Sequence, residues 1–409
     1  MYPRYATARA KTIMTDTPVL GIIGPRQAGK TTLAKSIGGE RLYINLDDPT
    51  YRRAALEDPV GLIRDAVGAI IDEIQRAPEL MLAIKASVDA DRRPGRFIVT
   101  GSANILTLRS IQDSMAGRIE MLPLLPLSQD EIAAKGQAQF LDRLFSGDRF
   151  LTHARDPDLI DRVLTGGFPD AVARKSATRR QDWFAAYATA ITERDLPDIA
   201  NIERATALPQ LLRLAAALNG QLVNANDLAK RLGIDRKTAL RYLDLTGKVF
   251  VTQSLSAWSN NAVKRLVKSP KLHFVDSGLA ANLANVTATR LGPDKAPFGP
   301  LLEGFVLSEL TKQCGWSEGR YAFSHFRDKD GAEVDIVVEN QEGQIAGIEV
   351  KAAATAGPKD FAGLSRLAAA AGERFVGGIL LYDGEHALPF GEGRRAVPIS
   401  ALWSPCEIA

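Results

Sequence analysis

The chain has 409 residues, 45% of them hydrophobic and 24% charged, with a net charge of +3. That length and composition suit two or three globular domains with buried cores and exclude a compositionally disordered chain. The basic first residues lack the apolar segment of a secretion signal, no stretch approaches the roughly 18 apolar residues of a membrane span, and Cys314 and Cys406 have neither metal-ligand nor disulfide spacing. A cytoplasmic protein with reduced thiols and no membrane partner is expected.

The first predicted element is a strand over 18–23, followed by GPRQAGKT at 24–31 and a helix-like segment, TTLAKSI. This is GxxxxGK[ST] in its required strand, loop, helix setting. Gly24, Pro25, Arg26, Gln27, Ala28, Gly29, Lys30, Thr31 and Thr32 are therefore the expected phosphate cradle. Backbone N–H groups face phosphate oxygens, Lys30 reaches the β and γ phosphates, and the Thr31 hydroxyl ligates Mg²⁺. The apolar run AIIDE at 69–73 ends in two carboxylates, with Asp72 expected on the metal and Glu73 orienting the attacking water. Runs 41–46 and 96–101 read as further strands, the second placed as the additional strand of the catalytic-glutamate division of P-loop proteins. Thr100, Ser102 and Asn104 end the latter, and Ser102 is the first choice as γ-phosphate sensor.

The segments GPRQAGKTTL, INLDDP, AIIDEIQRAPEL, VTGSANIL, SMAGRIEMLPLLPLSQDE, GGFPDA and ITERDLPDI resemble the prokaryotic AAA+ ATPases that carry a C-terminal domain of unknown function. The resemblance covers nearly the whole chain. It implies ATP as the nucleotide and an α/β fold of several parts: a P-loop core of the additional-strand type over 1–127, a helical lid over 128–220, a winged helix-turn-helix over 221–285, and a restriction-endonuclease-like domain over 286–409. It also implies a ring-like homo-oligomer in which a neighbouring subunit completes the site. Arg118 and Arg194 are the candidate trans arginines, since a planar guanidinium suits the charge of phosphoryl transfer. A surface ion pair, Arg118 with Glu120 or Arg194 with Glu193 or Asp195, is the competing reading.

Helical periodicity over 129–138, 177–191 and 208–218 reads as packing helices, with a turn at Gly166, Gly167 and Pro169. Trp183, Phe184 and Tyr187 are expected in a core. Residues 224–232, a turn at Gly233 and Ile234, and 235–247 with Asp235 as N-cap have the form of a helix-turn-helix, with strands over 248–255 and 271–276 as its wing. Residues 221–275 hold ten Lys or Arg and three Asp, a net of +7. Arg236, Lys237 and Arg241 on the second helix, and Lys264, Arg265 and Lys268 on the wing, are expected to meet DNA phosphates. Protein contact or a merely solvated basic face is the alternative.

The last hundred residues carry Glu303 on a helix, Asp335 in AEVDIVV, and Glu349 and Lys351 in AGIEVKA. Glu349 and Lys351 alternate onto one sheet face, and a hairpin turned by NQEG at 340–343 lets Asp335 join them. This is the spacing of a PD-(D/E)xK core. Glu303, Asp335 and Glu349 would hold Mg²⁺ while Lys351 activates water. A helix over 357–371 and a strand over 374–382 continue the order. Two functions remain open: an ATP-hydrolysing, DNA-binding protein with a Mg²⁺-dependent nuclease site, or an ATP-dependent switch whose nuclease-like domain is inert.

Overall fold

The computed structural model describes residues 2–64, 66–102, 115–147, 150, 155–199, 202–260 and 269–404. Asn104, Lys264, Arg265, Lys268 and Cys406 lie outside the described residues. Two compact units are formed, Pro3–Leu127 with the short segment Lys248–Val251, and Ser128–Gly247 with Thr252–Ala409. Among the described residues, no helix is long and apolar enough to cross a membrane.

The first unit is a parallel sheet of β1 (Val19–Ile23), β2 (Leu42–Asn45), β3 (Ala69–Asp72), β4 (Phe97–Gly101) and β5 (Ile119–Pro123), in the order β2-β3-β4-β1-β5. Strand β4 thus separates the strand before the P-loop from the one ending in Asp72. Central strands are apolar on both faces, as a parallel sheet covered on both sides requires. Their alternate residues feed two cores. Val19, Ile23, Ala69, Ile71, Phe97 and Val99 pack with Met81, Ile84 and Val88 of the Leu80–Ala90 helix. Leu20, Ile22, Ile70 and Ile98 pack with Ala10 of the Ala6–Ile13 helix and Leu33 of the Lys30–Gly38 helix. Edge strand β5 has mixed polarity and was not anticipated.

Apart from Lys248–Val251, the second unit contains the three segments read from sequence as lid, winged helix and nuclease-like end. Helices Ala177–Ala190 and Leu208–Ala217 form where periodicity placed them. Phe184 and Tyr187 are buried, and Trp183 stacks on Tyr187 at 5.1 Å. The helix expected over 129–138 stops at Ala133, because Ala134 turns left-handed and Asp130 Oδ2 takes the Ala138 N–H at 2.8 Å.

Helices Ala225–Leu232 and Arg236–Lys248 are joined at Gly233, whose φ of 64° closes the first. The second helix runs through Gly247, so the strand expected from 248 begins only at Thr252, after a left-handed Phe250. Strands β6 (Gln221–Leu222), β7 (Thr252–Leu255) and β8 (Lys271–Phe274) form an antiparallel sheet in the order β6-β8-β7.

The remaining sheet contains β9 (Tyr321–Arg327), β10 (Glu333–Asn340), β11 (Ile345–Lys351), β12 (Phe375–Tyr382), β13 (Leu388–Pro389) and β14 (Arg394–Pro398), in the order β13-β14-β12-β11-β10-β9. The β10–β11 hairpin turns at a left-handed Gly343, and β12 lies parallel to β11 after the Ala362–Ala371 helix. Trp258 N–H donates to His325 O at 2.6 Å and packs edge-on to Phe326, tying the chain after β7 to β9.

Candidate active site and carboxylate cluster

The phosphate loop follows β1 because Gly24 lies against the next layer of backbone: a Cβ there would stand 2.1 Å from Leu124 O. Only glycine permits that approach. Gly29 then takes φ 92° and starts the Lys30–Gly38 helix, leaving that helix N-terminus open to an anion. Lys30 is buried, its Nζ donating to Gly24 O at 3.1 Å and Pro25 O at 2.8 Å, so the ammonium is folded across the loop. Arg4 braces the loop through Ala28 O at 2.9 Å and Leu125 O at 2.7 Å.

Thr31 and Asp72 meet as their roles require. The Thr31 hydroxyl lies 3.0 and 2.9 Å from the two Asp72 oxygens. Asp72 is buried and also accepts from the Thr100 hydroxyl and from Tyr43 OH, the latter at 2.8 Å. Burial first, then the bond to Asp72, push the Tyr43 phenol well above its ordinary range. This hydroxyl and carboxylate set fits Mg²⁺: a hard cation takes oxygen ligands, and the carboxylate is oriented by two donors.

Glu73 sits at φ 58°, a left-handed conformation unusual for a non-glycine residue and one that turns the chain sharply after Asp72. Its N–H donates to Thr100 Oγ1 at 3.2 Å, and its carboxylate accepts from Gln75 Nε2. The same Gln75 amide lies 3.0 Å from Ser102 Oγ. Ser102 is thereby brought to Glu73 through Gln75. Arg4, Tyr43 and Gln75 escaped the motif reading; alternation along β2 beside the Asp72 strand was the available signal for Tyr43.

Arg118 does not pair with Glu120. Its Nε holds Asp89 Oδ1 at 2.6 Å. Arg194 is exposed in the π-helical turn Ile191–Asp195.

In the second unit Glu303, Asp335 and Glu349 converge. Asp335 and Glu349 lie one step beyond the Ile336–Ile348 pair of the β10–β11 hairpin, and Asp335 Oδ2 accepts the Val350 N–H at 3.0 Å. Glu349 stands opposite Asp335 on the paired strand. Lys271 of β8 enters the same space, its Nζ 3.0 Å from Glu303 Oε1 and 3.3 Å from Asp335 Oδ1. Burial, and next the Asp335 charge, push both Glu303 and Glu349 above the ordinary carboxylate range. Burial opposes the Lys271 charge, but Glu303 and Asp335 outweigh it and raise its pKa. His273 is fully buried with its Nε2 3.5 Å from Glu303 Oε1, and desolvation, then Lys271, lower it to about 3, so the ring is neutral.

Two sequence expectations change here. Lys271, one of the ten basic residues counted over 221–275, points inward and is 5% exposed, and its ammonium occupies the space expected for the metal. Lys351 does not join the carboxylates; its Nζ bonds Asp360 Oδ2 at 2.5 Å. With an ammonium between Glu303 and Asp335, the donor set does not fit a divalent cation. Among the described residues no group of three or more His, Cys, Asp or Glu side chains is arranged to hold a metal ion.

Arg236, Lys237 and Arg241 are exposed on the Arg236–Lys248 helix, whose N-terminus Asp235 caps by accepting the Thr238 N–H at 3.0 Å. Arg241 also lies 3.7 Å from Glu203. A groove of about 670 Å³ runs beside this helix, lined in part by Arg236, Leu240, Asn224 and Ser254.

Residues 16–133 match the model of an AAA domain, and residues 156–290 and 298–402 match two domains of unknown function, DUF8612 and DUF4143. Uncharacterized proteins of Mycobacterium bovis and Mycobacterium tuberculosis are each 30% identical over 402 residues, spanning 98% of this chain and 84% of theirs. Among solved structures, a STAND (signal transduction ATPase with numerous domains) protein with a tetratricopeptide repeat sensor from Pyrococcus horikoshii aligns at 14% identity, over 76% of this chain and 46% of its own, with a TM-score of 0.28. A DNA replication initiation factor aligns at 10% identity, over 57% and 69%, with a TM-score of 0.26. At such scores neither likeness bears on function. The AAA match falls on the parallel sheet and phosphate loop, and the mycobacterial match on nearly the full length: the chain belongs to the family of those two mycobacterial proteins, and its first unit is a P-loop ATPase domain of the AAA type.

Proposed function

We propose that this protein is a Mg²⁺-dependent ATPase whose nucleotide state governs engagement of nucleic acid by its second unit. The carrying observation is the contact of the Thr31 hydroxyl with both Asp72 oxygens, beside the Lys30 loop and Glu73. Thr31 and Asp72 would hold Mg²⁺, which supplies charge neutralisation on the β and γ phosphates. Lys30 would exchange its loop carbonyls for phosphate oxygens. Glu73, once released by Gln75, orients the attacking water, with Ser102 nearby to sense the γ-phosphate. Arg118 or Arg194 of a neighbouring copy would complete the site in a ring-like oligomer. The Asp89 pairing makes Arg194 the freer candidate.

In this reading residues 128–220 act as lid, 221–285 as a winged helix and 286–409 as a nuclease-like core. The exposed Arg236, Lys237 and Arg241 support DNA as the partner, since phosphate contacts need clustered, accessible cations. The strand order around β10–β11 supports the nuclease-like core. Between the two functions the sequence left open, the Lys271 contacts and the Lys351–Asp360 pair favour the ATP-dependent switch over cleavage.

The test is ATP turnover with Mg²⁺, with and without double-stranded DNA, for wild type and Lys30→Ala, paired with DNA-binding titrations in ATP and ADP. Turnover lost in Lys30→Ala and DNA affinity that differs between nucleotides are expected. Turnover surviving Lys30→Ala, or identical DNA affinity in both nucleotides, overturns the reading.

A further inference from the structure

The three carboxylates of the second unit converge from separate elements, Glu303 from the Phe298–Gln313 helix, Asp335 from β10 and Glu349 from β11. Gathering carboxylates away from water is unfavourable unless a cation or protons compensate them. The structure supplies a cation from the chain itself. We propose that the Lys271 ammonium is the resident cation of this cluster, standing where a divalent ion would bridge Glu303 and Asp335, so that the second unit is a metal-independent core and not a Mg²⁺-dependent nuclease.

Lys271 is not a surface lysine that has strayed inward. Its backbone is paired on both sides, with Leu222 of β6 and with Leu255 of β7, so the residue is fixed in the middle strand of its sheet. Its side chain is 6% exposed, and its Nζ bonds one oxygen of each of two carboxylates. An ion placed between the same two oxygens would crowd this ammonium, and two cations in contact repel strongly in a poorly solvated site. Displacing the ammonium would instead leave a buried charge without its partners.

The neighbouring groups agree. His273, two residues along β8 and so on the same face, lies 3.5 Å from the Glu303 oxygen that Lys271 already bonds. Among the described residues both His273 ring nitrogens lack a hydrogen-bond partner, which leaves the ring as packing against Glu303. Lys351, the lysine that a cleavage site would need beside its metal, is engaged by Asp360, and Asp360 is itself fixed by the Gly357 N–H at 2.8 Å. The core keeps the fold and the carboxylates while an internal lysine takes the place of the metal. It is thereby suited to binding and support, with no ion to lose.

The proposal does not rest on the ATPase reading, and its test omits nucleotide so that the two stand or fall separately. Mn²⁺ bound per chain is counted by electron paramagnetic resonance on the full-length, nucleotide-free protein, alongside thermal unfolding with and without millimolar Mn²⁺. Wild type and Lys271→Arg are expected to bind none at the cluster and to keep their Tm on adding Mn²⁺. Lys271→Met is expected to have a lower Tm, to gain one Mn²⁺, and to recover Tm with it; Glu303→Gln in that background abolishes the gain. A wild-type Mn²⁺ site lost in Asp335→Asn overturns the proposal, as does a folded Lys271→Met that gains none. Should Lys271→Met not fold in either condition, the wild-type, Asp335→Asn and Lys271→Arg measurements still decide it.

Discussion

Lys271 Nζ lies 3.0 Å from Glu303 Oε1, joining the central strand of one sheet to a helix 32 positions later. Because the pair is nearly dry, removing Glu303 leaves the buried Lys271 charge with Asp335 alone, a larger loss than that of a surface bridge. Glu303→Ala should therefore destabilise the protein by about 3–5 kcal/mol in urea unfolding, the range for breaking one side of a buried pair. A loss near zero would mean that the pair is solvated in solution.

The same cluster sets a pH dependence. Glu303 and Glu349 have folded-state pKa values above the ordinary 4.5, so above that pH the native state holds protons that the unfolded chain has released. Their contribution to stability is fully present below about pH 4.5 and is lost as pH rises through the elevated folded values. Glu349→Gln, which cannot ionise, should gain Tm relative to wild type as pH rises from 5 to 9. A flat difference across that range would contradict it.

At the ATPase site, Tyr43→Phe removes a hydroxyl that holds Asp72 at 2.8 Å. The carboxylate remains but is less firmly oriented. Mg²⁺ affinity, read from the metal dependence of ATP turnover, should weaken about tenfold, the low end for loss of a partner that orients a ligand. Glu73→Gln should leave ATP binding intact while lowering turnover about 10²-fold or more, because it removes only the group that orients or deprotonates water.

Asp276 is buried and accepts the Gly167 N–H at 2.7 Å and the Leu279 N–H at 2.9 Å, capping the Ser277–Leu283 helix while anchoring the turn at Gly166 and Gly167. Asp276→Ala strands both donors and should cost about 2–6 kcal/mol, at about 1–3 for each unsatisfied buried group. Gly166→Ala should also destabilise: φ is 66° there, and its Cβ would stand 2.3 Å from Asp276 Oδ1. Urea unfolding of both variants tests the anchor.

For the nucleic-acid face, joint replacement of Arg236, Lys237 and Arg241 by alanine should weaken DNA binding and flatten its salt dependence, by about 0.9 in log–log slope for each phosphate that is no longer neutralised. An unchanged slope in a salt titration would point to a protein partner for this helix.

The phosphate loop, Asp72 and Glu73 were legible in the sequence because a phosphate site is built mainly from contiguous backbone and from residues at strand ends, whose positions follow from local spacing. The hairpin carrying Asp335 and Glu349 was legible for the same reason: alternation and a turn fix which residues share a face. Edge strands β5, β9 and β13, and the β14 strand beside β13, were not, since their patterns are short or mixed and only pairing with a neighbouring strand makes them strands. Gln75, which links Glu73 to Ser102, belongs to no motif because its role depends on a left-handed turn at Glu73.

Lys271 marks the boundary most clearly. By itself the sequence determined that a charged residue opens an apolar strand, and Lys271 entered only the regional count of basic residues. Only the tertiary structure decided its partners, because Glu303 and Asp335 reach it from a helix and a strand 32 and 64 positions away. Local spacing specifies which face of an element a side chain occupies. What that face meets, whether water, phosphate or a carboxylate in need of a cation, is set by the packing of elements distant in the chain.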